Sequence, residues 1–444
     1  MTATDSPQHT ATPAPASAAA CPNRFVRSCP SMTARSMAPM VAGWAWHRIA
    51  PAIVVFEGPG ASRSVRMRHP RGGGRRRVVC PADQRRHYPH PCWKRPTEGE
   101  RTISTQPERP IFVLGCPRSG TTLLQLMLHS HPRIAIPPEN RFVLSTYYER
   151  TGFGDLREPD NRRALARFIV KRKRTQFRDY GLDKRQITKA ITAGPPTVGG
   201  ALSIVFRAYA DRFGKVRWGD KRPGYHSYVP ALVRMFPDAQ FIQLVRDGRD
   251  CVASLKKMPW WRRDIYQSVV EWNLAVDNAR RSAHRLPADT FHQIRYEDLV
   301  ADPERELKAL CAFLGEEYDP AMMAPKEVAD VAVPERKKWH ENTHRDVSEA
   351  AIGKWQHGLE PEELALCETV MGRRLRAHGY ELTGAPRASL TEQLRYYRVV
   401  ASRQRFLRTR FVKDWFRRTF RPAPLAYNWR ADGVTDERVR QPAR

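Results

Sequence analysis

The amino-acid sequence predicts an α/β fold: a three-layer core of the phosphate-loop type, with a mainly parallel sheet flanked by helices. Two segments support that expectation. Residues 111–122, Ile-Phe-Val-Leu-Gly-Cys-Pro-Arg-Ser-Gly-Thr-Thr, pass from large apolar side chains through a glycine-bracketed loop into the helix-compatible pattern TTLLQLML. Residues 241–245, Phe-Ile-Gln-Leu-Val, repeat the arrangement. They lead into Arg246-Asp247-Gly248-Arg249-Asp250 and then into a helix-compatible stretch from Cys251 to Lys257. In folds of this class ligands bind outside the carboxyl ends of the strands, so both loops are expected on one edge of one sheet.

The first loop departs from the ATP-binding pattern in an informative way. The spacing from Gly115 to Gly120 fits GxxxxGK[ST], but Thr121 stands where a lysine would reach the β- and γ-phosphates, and Thr122 follows with a hydroxyl. Such a loop still aims backbone N–H groups and a helix N-terminus at an anion. Arg118 adds a guanidinium that can fork two oxygens at once. Without the lysine, and with no obvious acidic residue ending a second strand to hold magnesium, triphosphate chemistry is disfavoured. The competing reading is an ordinary glycine-containing turn. In the second segment Arg246 sits at a strand end and Ser254 in the helix beyond it, so both could face one oxyanion. Two anion sites at strand ends suit a ligand with phosphates at both ends of a nucleoside. Taken alone, RDGRD also reads as a solvated turn.

PRSGTT, LVRDGRDCVASL, YEDLVADPERELKALCAFLG and GKWQ, in that order, resemble the motifs of the sulfotransferases that use 3′-phosphoadenosine 5′-phosphosulfate (PAPS). The arginine form of the loop, with HPRIAIPPENR, is similar to the tyrosylprotein sulfotransferase branch and to bacterial relatives. The resemblance covers about residues 108–382. It implies that Arg118, Ser119, Gly120, Thr121 and Thr122 hold the 5′-phosphosulfate and that Arg246 and Ser254 bind the 3′-phosphate. Tyr296 resembles a residue near the adenine, and Lys354 and Trp355 a late loop that closes over the nucleotide. Glu139 aligns with the catalytic base, Arg141 with a substrate-contacting arginine, and Lys221 with a lysine that supports the transferred group.

Sulfuryl transfer moves a group of spread negative charge, so positioning and electrostatic stabilisation should dominate, as in phosphoryl transfer. Arg118 and Lys221 would neutralise charge on the bridging and equatorial oxygens, and Glu139 would take the acceptor's proton. This scheme requires no metal. Other readings remain open at single positions. Glu139 also suits the first turn of a helix, and Lys221 could be a surface charge beside Asp220. Trp355 could be core packing, and Tyr296 could mark a strand end passing into a helix. Family enzymes acting on small phenols and steroids carry a loop lysine and a histidine base. Here Arg118 replaces the lysine and no histidine falls at an equivalent point, which disfavours small phenols as acceptors. Between Asn140 and Gly219 only Arg141 matches.

The ends of the chain differ from its middle. Residues 1–105 hold 16 Lys+Arg against 5 Asp+Glu, with an RGGGRRR run and no sustained period. They are expected to be a disordered Arg/Pro-rich extension, and a start codon nearer the core is a second open reading. The expected division is that extension, a catalytic domain over 106–386, and a basic amphipathic helix and tail over 387–444. The apolar stretch from Met37 to Trp46 is too short to span a bilayer and sits late for a cleaved leader. The 8 cysteines lack CxxC spacing, as expected of reduced thiols in the cytoplasm. Cys80, His87, His90 and Cys92 are too irregularly spaced to be expected as a metal site.

From Gln393 to Arg421 many arginines accompany a single acidic residue, Asp414. Apolar or aromatic residues at 396, 400, 407, 411 and 415 fall roughly on one helical face. That pattern suits peripheral contact with an anionic membrane, an acidic partner, packing on its own domain, or a second subunit of a homodimer. The formal charge of +30 predicts nonspecific binding of nucleic acid at low salt, but no recognisable module for specific binding is present. The leading expectation is a PAPS-dependent sulfotransferase acting on a hydroxyl of a carbohydrate, glycolipid, metabolite or peptidyl tyrosine. The rivals are a phosphate-loop kinase using ATP and a non-catalytic polyanion-binding protein.

Overall fold

The first strand, β1 (Ile111–Gly115), is buried throughout because its alternating side chains feed two cores at once. Phe112 and Leu114 enter one core with Trp218, Phe236 and Phe241, while Ile111 and Val113 enter another with Leu124, Leu128, Leu299 and Leu307. Burying each such side chain stabilises the fold by about 1.5–3 kcal/mol. In the computed structural model, residues 109–172, 175–328 and 349–427 are described, and all belong to one structural unit. The disorder and the cysteine–histidine grouping considered for residues 1–105 lie outside them.

The sheet has five parallel strands in the order β2 (Ile134–Ala135), β3 (Arg217–Lys221), β1, β4 (Gln240–Val245) and β5 (Phe291–Arg295). Its register sets Gly115 opposite Leu244, so the loops after β1 and β4 leave the sheet side by side. On one face lie α1 (Thr121–Ser130), α9 (Tyr296–Ala301) and α10 (Pro303–Leu314). The other face is covered by α2 (Phe142–Glu149), α3 (Pro159–Lys171), α4 (Lys184–Ala193), α5 (Val198–Asp211) and α6 (Val229–Met235). A third core joins α7 (Gly248–Lys256) and α8 (Ile265–Arg285) to α11 (Pro361–Ala377). Gly248 is required there: a Cβ would lie 2.7 Å from the ring of Trp272, whose Nε1 donates to the Arg246 carbonyl.

The basic C-terminal segment is one helix, α12 (Leu390–Phe420), with Ser389 as N-cap accepting from the Glu392 amide. It packs along α8, where Asn273 donates to the Tyr396 hydroxyl and Arg403 pairs with Glu271. Farther along, Asp414 is buried and accepts from Tyr147 Oη at 2.9 Å and Arg150 Nη2 at 2.8 Å, with Arg234 and Arg418 each at 3.3 Å. The apolar positions singled out in the sequence do not all turn inward. Tyr396 is buried and Val400 and Leu407 are half-buried, but Phe411 and Trp415 are 65% and 48% exposed. The helix is oriented by its polar anchor instead: Tyr396 and Asp414 stand eighteen residues apart, about five turns at 3.6 residues per turn. Leaving Asp414 without its partners would cost several kcal/mol, about 3–5 for a broken buried pair. No helix among the described residues is long and apolar enough to cross a membrane.

Candidate active site

The loop between β1 and α1 is shaped by one residue in an unfavourable conformation. Arg118 has φ 73°, a left-handed geometry that costs a non-glycine residue about 1–3 kcal/mol. The second loop holds it there, because Arg246 Nη1 donates to the Arg118 carbonyl at 3.0 Å and Arg118 Nε donates to Ser254 Oγ at 2.9 Å. Burial first, and then the Arg246 charge, hold the Arg118 guanidinium below its usual range. Ser119 serves the loop itself, donating its hydroxyl to the Cys116 carbonyl at 2.7 Å. Gly120, at φ 91°, is pressed by the Tyr296 ring, which lies 2.4 Å from where a Cβ would stand. Thr121 and Thr122 open α1, whose N-terminus has no acidic residue in its first turn.

RDGRD is not a solvated turn. Arg246, Asp247, Arg249 and Asp250 are all buried, and each charge has a partner. Arg246 pairs with Asp250 at 3.4 Å, and Arg249 with Asp247 and with Glu368 of α11. Asp247 also caps α7 by accepting from the Arg249 amide. The guanidinium of Arg246 lies 4.8 Å over the Tyr296 ring, and its Nη2 donates to the Ala351 carbonyl. Its Nε is buried without a hydrogen-bond partner among the described residues. Asp250 in turn accepts from the amides of Gly353 at 3.0 Å and Trp355 at 2.9 Å. The late loop is thereby fastened beside Arg246, with Lys354 exposed and Trp355 stacked 4.2 Å from Arg249.

Glu139 lies ahead of α2, outside its first turn, and its carboxylate faces basic residues. Lys221 Nζ is 3.5 Å from Glu139 Oε2 and 3.4 Å from Thr122 Oγ1, while Arg222 Nε is 3.9 Å from Glu139 Oε1. Lys221 is therefore no surface charge: it is buried and stands between the first loop and the carboxylate. The neighbours of this pair clamp the two segments together. Asn140, directly after Glu139, donates to Asp220 Oδ1 at 2.8 Å, and Asp220 directly precedes Lys221. Tyr225 donates to the other Asp220 oxygen, and Asn140 also donates to Tyr180 Oη. Burial raises the Asp220 carboxyl to about 6, against the opposing pull of its Tyr225 and Asn140 hydrogen bonds.

Next to Glu139 opens a cleft of about 570 Å³ whose wall includes Arg141, Tyr148, Arg172, Arg222, Tyr228 and Arg410. Arg410 comes from α12, donates to Tyr228 Oη at 2.9 Å and lies 4.3 Å over the Tyr148 ring. Glu149 is the one acidic residue of this lining. A larger cavity of about 790 Å³, lined in part by Arg150, Arg157 and Arg421, shares no residue with it. Among the described residues, no group of three or more His, Cys, Asp or Glu side chains could hold a metal ion.

The residues proposed from sequence thus fall into one neighbourhood at the carboxyl edge of the sheet, with Arg141 on the cleft wall. Sequence reasoning did not single out Asn140, Asp220, Asp250 or Glu297, which accepts from the Asp247 amide at 2.9 Å. The available signal was adjacency, since each lies within or beside a motif already chosen.

Residues 110–320 match the model of the sulfotransferase family. The match ends ahead of the late loop. The chain is 24% identical over 283 residues to protein-tyrosine sulfotransferase A of Caenorhabditis elegans, covering 62% of this chain and 68% of that protein. It is also 24% identical over 275 residues to the protein-tyrosine sulfotransferase of Drosophila melanogaster, covering 58% and 49%. The chain spans about half to two thirds of the length of these curated relatives. Among solved structures, the sulfotransferase domain of the Synechococcus PCC 7002 olefin synthase is similar at 24% identity, covering 57% of this chain and 90% of that one, with a TM-score of 0.41.

Proposed function

We propose that this chain, whose residues 110–320 match the sulfotransferase family model, is a sulfotransferase that transfers a sulfuryl group from PAPS to an acceptor hydroxyl. The observation that carries this reading is the joining of the two anion loops by Arg118, Ser254 and Arg246 at one edge of the sheet. Arg246 and Ser254 are suited to the 3′-phosphate, and Arg118 with the α1 N-terminus to the phosphosulfate. Tyr296 presents a ring against Gly120 and Arg246, where a nucleoside could pack.

In the reaction, the acceptor oxygen forms a bond to sulfur as the bond from sulfur to the 5′-phosphate oxygen breaks. The acceptor's proton passes to Glu139, and 3′-phosphoadenosine 5′-phosphate (PAP) leaves. Lys221 and Arg118 stabilise the charge that moves onto the leaving oxygen. The Asn140–Asp220 clamp keeps Glu139 and Lys221 at their working separation. The cleft wall favours an acceptor with an acidic group near its hydroxyl and a flat or apolar portion for Tyr148 and Tyr228. A carbohydrate, a glycolipid, an acidic metabolite or a peptidyl tyrosine in acidic surroundings would meet that description.

Calorimetric titration of the full chain with PAP, and separately with ATP and magnesium, tests the donor assignment at moderate salt. Binding of PAP alone supports it. Preference for ATP would favour a kinase. Weak binding without discrimination, collapsing with salt, would favour a general polyanion binder.

A further inference from the structure

The outward face of α12 is unlike the rest of the described surface. Leu394, Tyr397, Val412, Trp415, Phe416 and Phe420 are each about half exposed or more. Among them stand exposed Arg398, Arg405, Arg408 and Lys413. Neither acidic residue of the helix reaches this face. Asp414 is buried in its arginine and tyrosine cluster, and Glu392 is half-buried against Tyr266. Every exposed charge on a helix of 31 residues, about 46 Å long, is therefore positive.

We propose that this face docks on an anionic lipid bilayer. The aromatic and aliphatic side chains enter the boundary between headgroups and acyl chains. The arginines and Lys413 keep their stems in the apolar layer and their charges among the phosphates. Charge complementarity selects this occupant over the others. Residues 1–105 carry 16 Lys+Arg against 5 Asp+Glu and would repel the face. A second copy related by a two-fold axis would set the same arginines against each other. An anionic polymer would satisfy the cations but leave Trp415, Phe416 and Phe420 in water. The inference stands on the helix face and does not depend on the donor assignment.

Co-sedimentation of the full chain with phosphatidylcholine vesicles, with and without about one third phosphatidylserine, tests it at moderate salt. Two variants accompany it: Trp415→Ser with Phe416→Ser and Phe420→Ser, and Arg398→Gln with Arg405→Gln and Arg408→Gln. All six side chains are exposed, and circular dichroism checks that each variant is folded. The expected result is binding to anionic vesicles at least about tenfold tighter than to neutral ones, with each variant losing about tenfold or more. The proposal is overturned if anionic lipid gives no gain. It is overturned equally if the aromatic variant binds like the parent, since residues 1–105 would then account for the attraction. A dimer that dissociates in the aromatic variant while lipid binding is unchanged would assign the face to a second copy instead.

Discussion

On the proposed donor side of the site, Arg118 of the first loop meets Ser254 of α7 at 2.9 Å, and each belongs to one short string of sequence. On the acceptor side, Arg141, Arg172, Arg222, Tyr228 and Arg410 reach one cleft from segments as far apart as residues 141 and 410. On the proposed donor side Arg246 is buried and paired with Asp250, whereas the proposed acceptor side is open and mostly cationic. The contrast indicates how a fold can keep one co-substrate and change the other. A strand, a loop and a helix N-terminus define an anion site locally. In the proposed reading, acceptor recognition would fall to the cleft lined by residues of several helices, whose packing can change without disturbing that site.

That division can be broken by experiment, and the largest effect is expected at the boundary between the two sides. Glu139→Gln should lower kcat by about 10²–10⁴, the usual worth of a general base, while PAP affinity stays within about twofold. Normal turnover would remove Glu139 from the chemistry. Arg246→Ala should weaken PAP binding by about 10²–10³, since it deletes a charge-assisted donor and frees the Arg118 carbonyl that shapes the first loop. PAP binding within threefold of the parent would move the 3′-phosphate site elsewhere.

Asp220→Asn tests whether the clamp behind Glu139 and Lys221 acts by position. Because burial raises the native carboxyl from 3.8 to about 6, the folded chain holds this proton in a window where the unfolded chain has lost it. Stability contributed by the group is thus fully present below the unfolded value and is lost as pH rises from about 4 to about 6, by up to about 3 kcal/mol. Denaturant unfolding across that window should show the slope in the parent and not in the variant, and parallel curves would refute the assignment. A fall in kcat of about tenfold with unchanged PAP affinity is expected alongside. The smallest effect should come from Arg410→Ala, which should raise the acceptor KM about three- to tenfold and leave PAP binding untouched. A change in PAP affinity there would mean that the two sides are coupled.

The donor side was also the more legible one. The runs at 111–114 and 241–245 anticipated β1 and β4 to within one residue at an end, because large apolar side chains dominate both; β3, equally buried but carrying Arg217, Asp220 and Lys221, gave no such signal. RDGRD left two readings open from sequence, and burial of its charges settled between them. The clamp was less accessible. Asn140 and Asp220 are separated by 80 residues, and nothing in either local string signals the hydrogen bond between them. The C-terminal helix shows the same limit. Its composition announced a basic helix but left open what its apolar positions meet, and the buried Asp414 with its arginine and tyrosine partners is the contact that fixes which face turns inward.

Local order along the chain was enough to determine the strands β1 and β4, the arginine-bearing anion loop and the absence of its ATP-type lysine. Those features rest on neighbouring residues: side-chain alternation, backbone N–H groups at a helix start and one glycine at φ 91°. Packing alone decided that Lys221 would stand between Thr122 and Glu139, and that Arg410 would close the acceptor cleft from the far end of the chain. Those contacts depend on the register of β1 with β3 and on the buried anchor of α12, and both arise from pairings between distant segments that no local pattern encodes.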